Sequence, residues 1–536
     1  MTAPLDSTLA GSTSLELESI LAGPTIIERL EQMSSQHPAR AYAIRGDMTV
    51  TLADLWSRVS SAVRALRDAG VTGTSRVAVS STTTIDHVVT IFALLALDAL
   101  WIPLNVQAKG KPLDDLLSDS GTTHLVAQVG SDIATAVSQM QMRDGGPTLN
   151  RSVLLSDVAD TPRPLMLWEW HRTPEHEVVG DTCALMYTSG TTGRPKGVRV
   201  SERMLLASAV GTLHVSEAQA TDVLYLWEPL YHIGGAQVIF VPLLTPATLA
   251  LRERFSASSF WQDVVLSGAT HVHYLGGILE ILLRQPWSSL ERAHNVRVFW
   301  GAGASTAVWQ ESARRFGVQL HECYGMTETS SFASVNKVGP QSGVGRPVPW
   351  FEVKLGSCES TTGVPAQFGT AGELMIRERV PGTITPGYFG DPDYLWRSGD
   401  KGWFRTGDLG SIDEVDNIHF HGRINDTIRV RGENVSAWQV DSVFSAHPDI
   451  RQCAAVGVEA DIGEQEILLL VVPSDGALVD AQALVNWAAE KLPKYQLPRY
   501  VQLVDELPVT PSQRIAKGRL GEVVNHAAFV DVRSSE

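Results

Sequence analysis

Between Thr188 and Lys196 the chain reads TSGTTGRPK, which crowds hydroxyls, glycines and cations into nine residues. Thr188, Ser189, Thr191 and Thr192 bring hydroxyl donors, and Gly190 and Gly193 free backbone N–H groups to turn toward a ligand. Lys196 adds a mobile point charge. Donors of this kind suit the oxygens of a phosphate chain. The run is not a Walker loop, because Gly197 follows the lysine where that motif needs Ser or Thr. A solvated polar turn can share this composition, but the length and order of this run exceed what a turn requires.

The flanks must hold the loop. Ala184-Leu185-Met186-Tyr187 reads as a buried strand, Val198-Arg199-Val200 as a returning strand, and Ser201 as the cap of a helix starting near Glu202. From about Thr25 to His421, helical periods alternate with apolar runs at 75–80, 100–104, 123–128, 223–230 and 296–303, a pattern of α/β layers with largely parallel strands. Strands and turns dominate from Gly343 to His421. Beyond Arg423 the pattern changes. A helix capped by Ser436 precedes two strands (QCAAVGV and ILLLVVP). A further helix places Ala481, Leu484, Val485, Ala488 and Leu492 on one face. The fold class expected is α/β. A loosely ordered lead (1–24) precedes a large multi-subdomain N-terminal domain of layered sheets and helices (25–422), and a small mobile α+β C-terminal domain follows (423–536).

Further motifs stand in order along the chain. YTSGTTGRPKGV, Gly301-Ala302-Gly303, YGMTE (324–328), FRTGD (404–408) and GRINDTIRVRGENVS (422–436) together resemble the signature of the adenylate-forming superfamily of acyl-CoA synthetases, adenylation domains and luciferases. The resemblance covers nearly the whole chain. LRERFSASSFWQDV, YLGGILEILLRQP and IRVRGENVS are similar to its carnitine/crotonobetaine-CoA ligase-like branch.

The resemblance implies that ATP, with Mg²⁺, adenylates a carboxylic acid, and that the acyl group then passes to CoA. It implies a site in which the 188–193 loop and Lys196 hold the β- and γ-phosphates. Gly301, Ala302 and Gly303 bring backbone to adenine, Tyr324 packs on it, and Glu322, Cys323 and Gly325 flank it. Thr327 contacts phosphate, Glu328 ligates Mg²⁺, Asp408 takes both ribose hydroxyls, and Arg423 belongs to the nucleotide-binding set. Asn425 is the hinge, and Gly432, Glu433 and Asn434 form the loop at the CoA or acceptor side. Bringing two anions together is the difficulty of the first step, so positioned cations carry much of the catalysis.

Two departures bear on that step. The resembled family has Gly-Lys inside a TPSGK stretch, and this chain has Gln513-Arg514. Arg514 keeps the charge as a planar fork, and Lys517, three residues on, is the alternative, with Arg514 preferred. At the hinge Asn425 stands where Asp or Lys is usual, and Asp426 beside it can share the role.

Turns at Tyr231, His232 and Gly235 and at Tyr274, Gly276 and Gly277 are the candidate borders of an acyl pocket. His232 orients the acceptor, closes the pocket or is structural, and His271 and His273 read as packing. Trp438 flanks a CoA tunnel or packs on the surface. Two other functions compete with the CoA ligase. One keeps adenylation but hands the product to an amine, as in an amide synthetase or a nitrite-activating diazotase. The other is a nucleotide-binding regulator with impaired catalysis.

Composition narrows the partners. A net charge of −16 over 536 residues disfavours nucleic acid and anionic membranes as general partners. Cys183, Cys323, Cys358 and Cys453 are scattered without ligand spacing, which fits a reducing cytoplasm and no structural zinc. The N-terminal stretch lacks the pattern of a signal peptide. Asp98 and Pro103 break the apolar run 88–104, so it reads as a buried helix leading into a strand. The expected partners are a small acid (or nitrite) with CoA or an amine; a homodimer is an expectation of the resemblance alone.

Overall fold

The computed structural model describes residues 13–140, 165–169, 180–188, 196–356, 371–391, 402–430, 433–459, 465–510 and 515–532. Two large sheets form its centre. In the first, the strands Gln319–Tyr324, Val298–Ala302, His271–Leu275, Val223–Leu226, Thr248–Leu251 and Ala41–Arg45 lie side by side and run parallel. Antiparallel strands close both edges, Ser334–Asn336 with Arg346–Pro347 on one side and Met48–Thr51 on the other. The second sheet orders Leu165–Glu169, His124–Gln128, Arg76–Ser80, Leu100–Pro103, Thr182–Thr188 and Lys196–Ser201, the first and last pairs antiparallel. A four-stranded antiparallel sheet (Phe351–Gly356, Gly372–Glu378, Phe404–Ile412, Ile418–Arg423) adds a third layer.

Local signals explain the elements. Leu100–Pro103 is buried throughout, as a strand covered on both faces must be, and the helix Ile85–Ala96 before it is buried on nearly every side. Those two elements replace the membrane span that length alone would permit. Among the described residues no helix is long and apolar enough to cross a membrane. Ser201 accepts from the Met204 N–H at 3.3 Å and starts the helix Glu202–Ser216, as its sequence suggests. Two expectations are corrected. The run 223–230 is a strand only over Val223–Leu226, because Pro229 and the turn after it end the ladder. Within the lead, Ser14–Leu21 is a helix with a Thr13/Glu16 capping box, and Leu17 and Leu21 join the main core.

The C-terminal part has its own core. Val435, Val440, Phe444, Cys453, Leu469, Leu484 and Val501 pack between the helices Ala437–Phe444 and Ala481–Ala488 and a sheet of Ile450–Glu459, Gln465–Pro473, Tyr500–Leu503 and Val530–Asp531. Leu492 is buried but lies beyond the helix that ends at Ala488.

Candidate active site

Four of the sequence-marked segments follow the carboxyl ends of neighbouring parallel strands. Trp227–Gly235 follows Leu226, Gly276-Gly277 follows Leu275, Gly303 follows Ala302, and Gly325–Glu328 follows Tyr324. Open parallel sheets bind ligands at this edge. Close backbone approach builds it. A Cβ on Gly276 would be driven into the Gly303 carbonyl, and one on Gly301 into the Tyr274 carbonyl. Gly303 itself has φ +89, a value that favours glycine.

Glu322 locks the same edge. Its carboxylate accepts from the Tyr274 hydroxyl and from the N–H groups of Gly303 and Ala304, the latter at 3.3 Å. This corrects one expectation. Tyr274 is fully buried with its hydroxyl committed to Glu322, so it supports the strand ends and does not border an open cavity. Glu322 takes a framework role that its motif does not announce, accepting from the strand ends on both oxygens. Cys323 donates its Sγ–H to the Gly301 carbonyl at 2.9 Å and is buried.

Beside this framework the structure brings Tyr324, Asp408 and Arg423 together from two sheets. Tyr324 Oη donates to Asp408 Oδ2 at 2.7 Å, and Arg423 Nε lies 3.1 Å from Oδ1. Oδ1 is buried and is engaged by the Arg423 charge without a hydrogen bond of good geometry among the described residues. Burial pushes the Asp408 carboxyl up to about 6, while the Arg423 guanidinium and the Tyr324 hydroxyl pull the other way.

On the other side of Tyr324, a 3₁₀ turn at Thr327–Thr329 presents Glu328, whose Oε1 accepts from Tyr388 Oη at 2.7 Å. Lys196 begins the returning strand, and its Nζ lies 5.2 Å from the Tyr388 ring centroid. A lone carboxylate beside Thr327 is the donor set of a hard cation that keeps water and phosphate oxygens as its other ligands. Among the described residues no group of three or more His, Cys, Asp and Glu is placed to hold a metal ion.

The turn after Leu226 buries a further pair. His273 Nδ1 lies 2.5 Å from Glu228 Oε2, and the His273 ring sits 4.2 Å from that of Trp300. Tyr231 and His232 have ring centroids 4.5 Å apart, and Gly235 packs against the Pro229 carbonyl. Neither Glu228 nor Tyr388 is singled out by the sequence motifs. A carboxylate inside LWEPLY is the signal for the first; Tyr388, in an ordinary-looking PGYFG turn, offers none.

At the C-terminal part, Lys517 Nζ is 3.0 Å from Asp441 Oδ2 and 3.8 Å from Asp426 Oδ2. Asn425 lies in a 3₁₀ turn at Ile424–Asp426, and Glu433 and Asn434 in the strand Glu433–Ser436. Trp438 packs edge-on to Phe420, which lies 5.8 Å from the Tyr324 ring, so the surface alternative holds for part of its ring only. Thr188 ends its strand. Ser189, Gly190, Thr191, Thr192, Gly193, Gly432, Gln513 and Arg514 lie outside the described residues.

Comparisons with known proteins agree with this layout. Residues 30–389 match the AMP-binding enzyme family, and residues 439–514 match the AMP-binding enzyme C-terminal domain. A probable CoA ligase of Humulus lupulus is 29% identical over 90% of this chain and 93% of its own length. The oxalate–CoA ligase of Arabidopsis thaliana is 29% identical over 92% and 97%. A solved o-succinylbenzoate coenzyme A synthetase of Bacillus subtilis, in complex with AMP, has a TM-score of 0.76 at 25% identity, covering 92% of this chain and 97% of that one. The chain therefore belongs to the AMP-binding enzyme family, as a ligase of the acyl-CoA synthetase type.

Proposed function

We infer that the protein is an acid–CoA ligase working through an acyl-adenylate, with its nucleotide held at the carboxyl edge of the parallel sheet. One observation carries this reading. Tyr324, Asp408 and Arg423 meet around one buried carboxylate, next to a turn that offers Glu328 and a strand that starts with Lys196.

The division of labour follows from charge. Asp408 accepts from the ribose hydroxyls, and Arg423 keeps it ionised despite its burial. Tyr324 stacks on the base beside the Gly301–Gly303 backbone. Lys196 and the loop before it take the terminal phosphates, and Glu328 with Thr327 would hold Mg²⁺, which when bound neutralises phosphate charge. Arg514 stabilises the meeting of carboxylate and α-phosphate. A field of fixed cations in a partly dry site needs no reorganisation as charge moves, which is where such a site gains its rate. After pyrophosphate leaves, rotation near Asn425 exchanges the face of the C-terminal domain and presents Glu433 and Asn434 to CoA. The domain boundary at 422/423 belongs to this reading.

The finer kinship to carnitine/crotonobetaine-CoA ligase-like enzymes rests on segments whose apolar residues (Phe260, Trp261, Ile278, Leu279, Leu282) are buried core, so they speak for ancestry more than for the acid. The amine-accepting alternative rests on Gln513-Arg514 and Asn425. AMP and pyrophosphate release from ATP, measured with a panel of acids and nitrite, with and without CoA and then with amines, tests both. AMP release needing an acid and CoA together is expected; turnover indifferent to CoA but driven by an amine sinks the CoA reading.

A further inference from the structure

The strand that carries Lys196 has two edges. One pairs with Thr182–Thr188; along the other runs the segment 385–389. Arg199 N–H donates to the Gly387 carbonyl at 3.1 Å, and Phe389 N–H donates to the Gly197 carbonyl at 2.8 Å. The same segment fastens the turn that presents Glu328. Thr385 N–H donates to the Glu328 carbonyl at 2.8 Å, and Thr385 Oγ1 donates to the Arg199 carbonyl at 2.6 Å. Residues 385–389 thus tie together two pieces of chain that are 132 positions apart in sequence (196 to 328).

Tyr388 sits where the two meet. Its Oη donates to Glu328 Oε1 at 2.7 Å, and its ring lies 5.2 Å from Lys196 Nζ, within reach of a cation–π contact. Glu328 is buried, and Oε2 makes no hydrogen bond among the described residues. One carboxylate oxygen is therefore held by Tyr388, which fixes how the carboxylate is turned. That is how outer residues orient a metal-binding carboxylate and fix its basicity.

We propose that Tyr388 is a positioning residue that sets Glu328 for Mg²⁺ through its hydroxyl and Lys196 for phosphate through its ring. The inference rests on the reading of Glu328 as the Mg²⁺ ligand. Its two halves separate by substitution. Tyr388→Phe keeps the ring beside Lys196 and removes the hydroxyl that bonds Glu328. Tyr388→Leu removes both.

The test is calorimetric titration of the full chain with ATP over a MgCl₂ series, and with inorganic pyrophosphate without metal, alongside melting temperatures. Loss of an outer hydrogen bond of this kind weakens metal affinity by about 10–100-fold. For Tyr388→Phe the Mg²⁺ concentration giving half-maximal ATP affinity is expected to rise about tenfold, with pyrophosphate binding and melting temperature unchanged. Tyr388→Leu is expected to weaken metal-free pyrophosphate binding as well. Glu328→Gln is the reference. If Glu328→Gln raises the Mg²⁺ requirement and Tyr388→Phe does not, the positioning role is overturned while the reading of Glu328 stands. If Glu328→Gln leaves the requirement unchanged, the reading of Glu328 falls, and the inference with it. A Tyr388→Phe chain that melts earlier with an unaltered Mg²⁺ requirement marks Tyr388 as structural only.

Discussion

The strand-end framework and the C-terminal junction both carry candidate catalytic groups, yet they are built from different materials. At the framework, backbone meets backbone. Gly276 abuts the Gly303 carbonyl, Glu322 binds two N–H groups, and Tyr324 is tied to Asp408. At the junction, contacts run through long side chains and single bonds. Lys517 reaches Asp441 and Asp426, Arg284 donates to the Arg451 carbonyl, and Ser436 to the His421 carbonyl. Backbone contacts have few alternative arrangements, whereas side-chain ion pairs that keep some exposure contribute less and exchange more readily. A site that must keep one nucleotide through two half-reactions needs the first kind. A domain that must change partners between them needs the second.

The largest effect should come from adding one carbon to the framework. Gly276→Ala forces a methyl into the Gly303 carbonyl and is expected to cost about 3 kcal/mol or more, at the upper end of overpacking, with loss of nucleotide binding. Gly518→Ala, beside Lys517, meets open space and should change stability by less than about 0.5 kcal/mol. Urea denaturation of the two variants compares the regions directly. Equal tolerance would erase the contrast.

Asp408→Asn keeps shape and removes charge. Hydrogen bonds to an ionised group contribute about 1.5–3 kcal/mol, so AMP affinity should fall by roughly 10–150-fold in a calorimetric titration. Unchanged affinity would place the ribose elsewhere.

Acidity should act through the same carboxyl. With Asp408 raised to about 6 by burial, AMP affinity should weaken as pH falls through 6, approaching tenfold per unit below it. The sign for stability is opposite. A carboxyl whose folded pKa exceeds its unfolded value binds more protons when folded, so its contribution to stability rises as pH falls from 6 toward 4. A loss of affinity at pH 5 without a parallel loss at this site's melting contribution separates the two, and Asp408→Asn should flatten the affinity profile.

The sequence exposed the framework well because its demands are local. Glycine at 276, 301 and 303 and the Tyr324 and Asp408 motifs must be those residues for steric or charge reasons. Periodicity likewise placed the strands at 76–80, 100–103 and 298–302. It misplaced what depends on distant partners. Tyr274 looked like a pocket wall because its commitment to Glu322, 48 positions away, leaves no local trace. Tyr388 went unseen for the same reason, since its meaning lies in Glu328, 60 positions away. Glu228 was legible only as a carboxylate among apolar neighbours, and its partner His273 needed the sheet to bring it near.

The smallest expected effect sharpens the comparison most. Lys517 is held by Asp441 and Asp426, and burial of Asp441 raises its carboxyl while the ammonium pulls it back down. Lys517→Gln removes that pull, so Asp441 takes up a proton more readily and the junction loses its ion pairs. Lys517 is about a third exposed, which discounts the pair to about 1 kcal/mol. Asp426 sits in the same turn as the hinge residue Asn425, so a shift of that size there changes the balance of two domain arrangements about fivefold. Adenylation, read as acid-dependent exchange of pyrophosphate into ATP, should therefore change only a few-fold relative to CoA-dependent AMP release, with AMP affinity intact. A lysine that instead stabilises the reacting phosphate would cost about 10²–10³-fold in exchange when removed. That outcome would move the reacting charge from Arg514 to Lys517 and make the junction part of the chemistry; the small shift leaves it a latch beside a site whose shape the strand ends already determine.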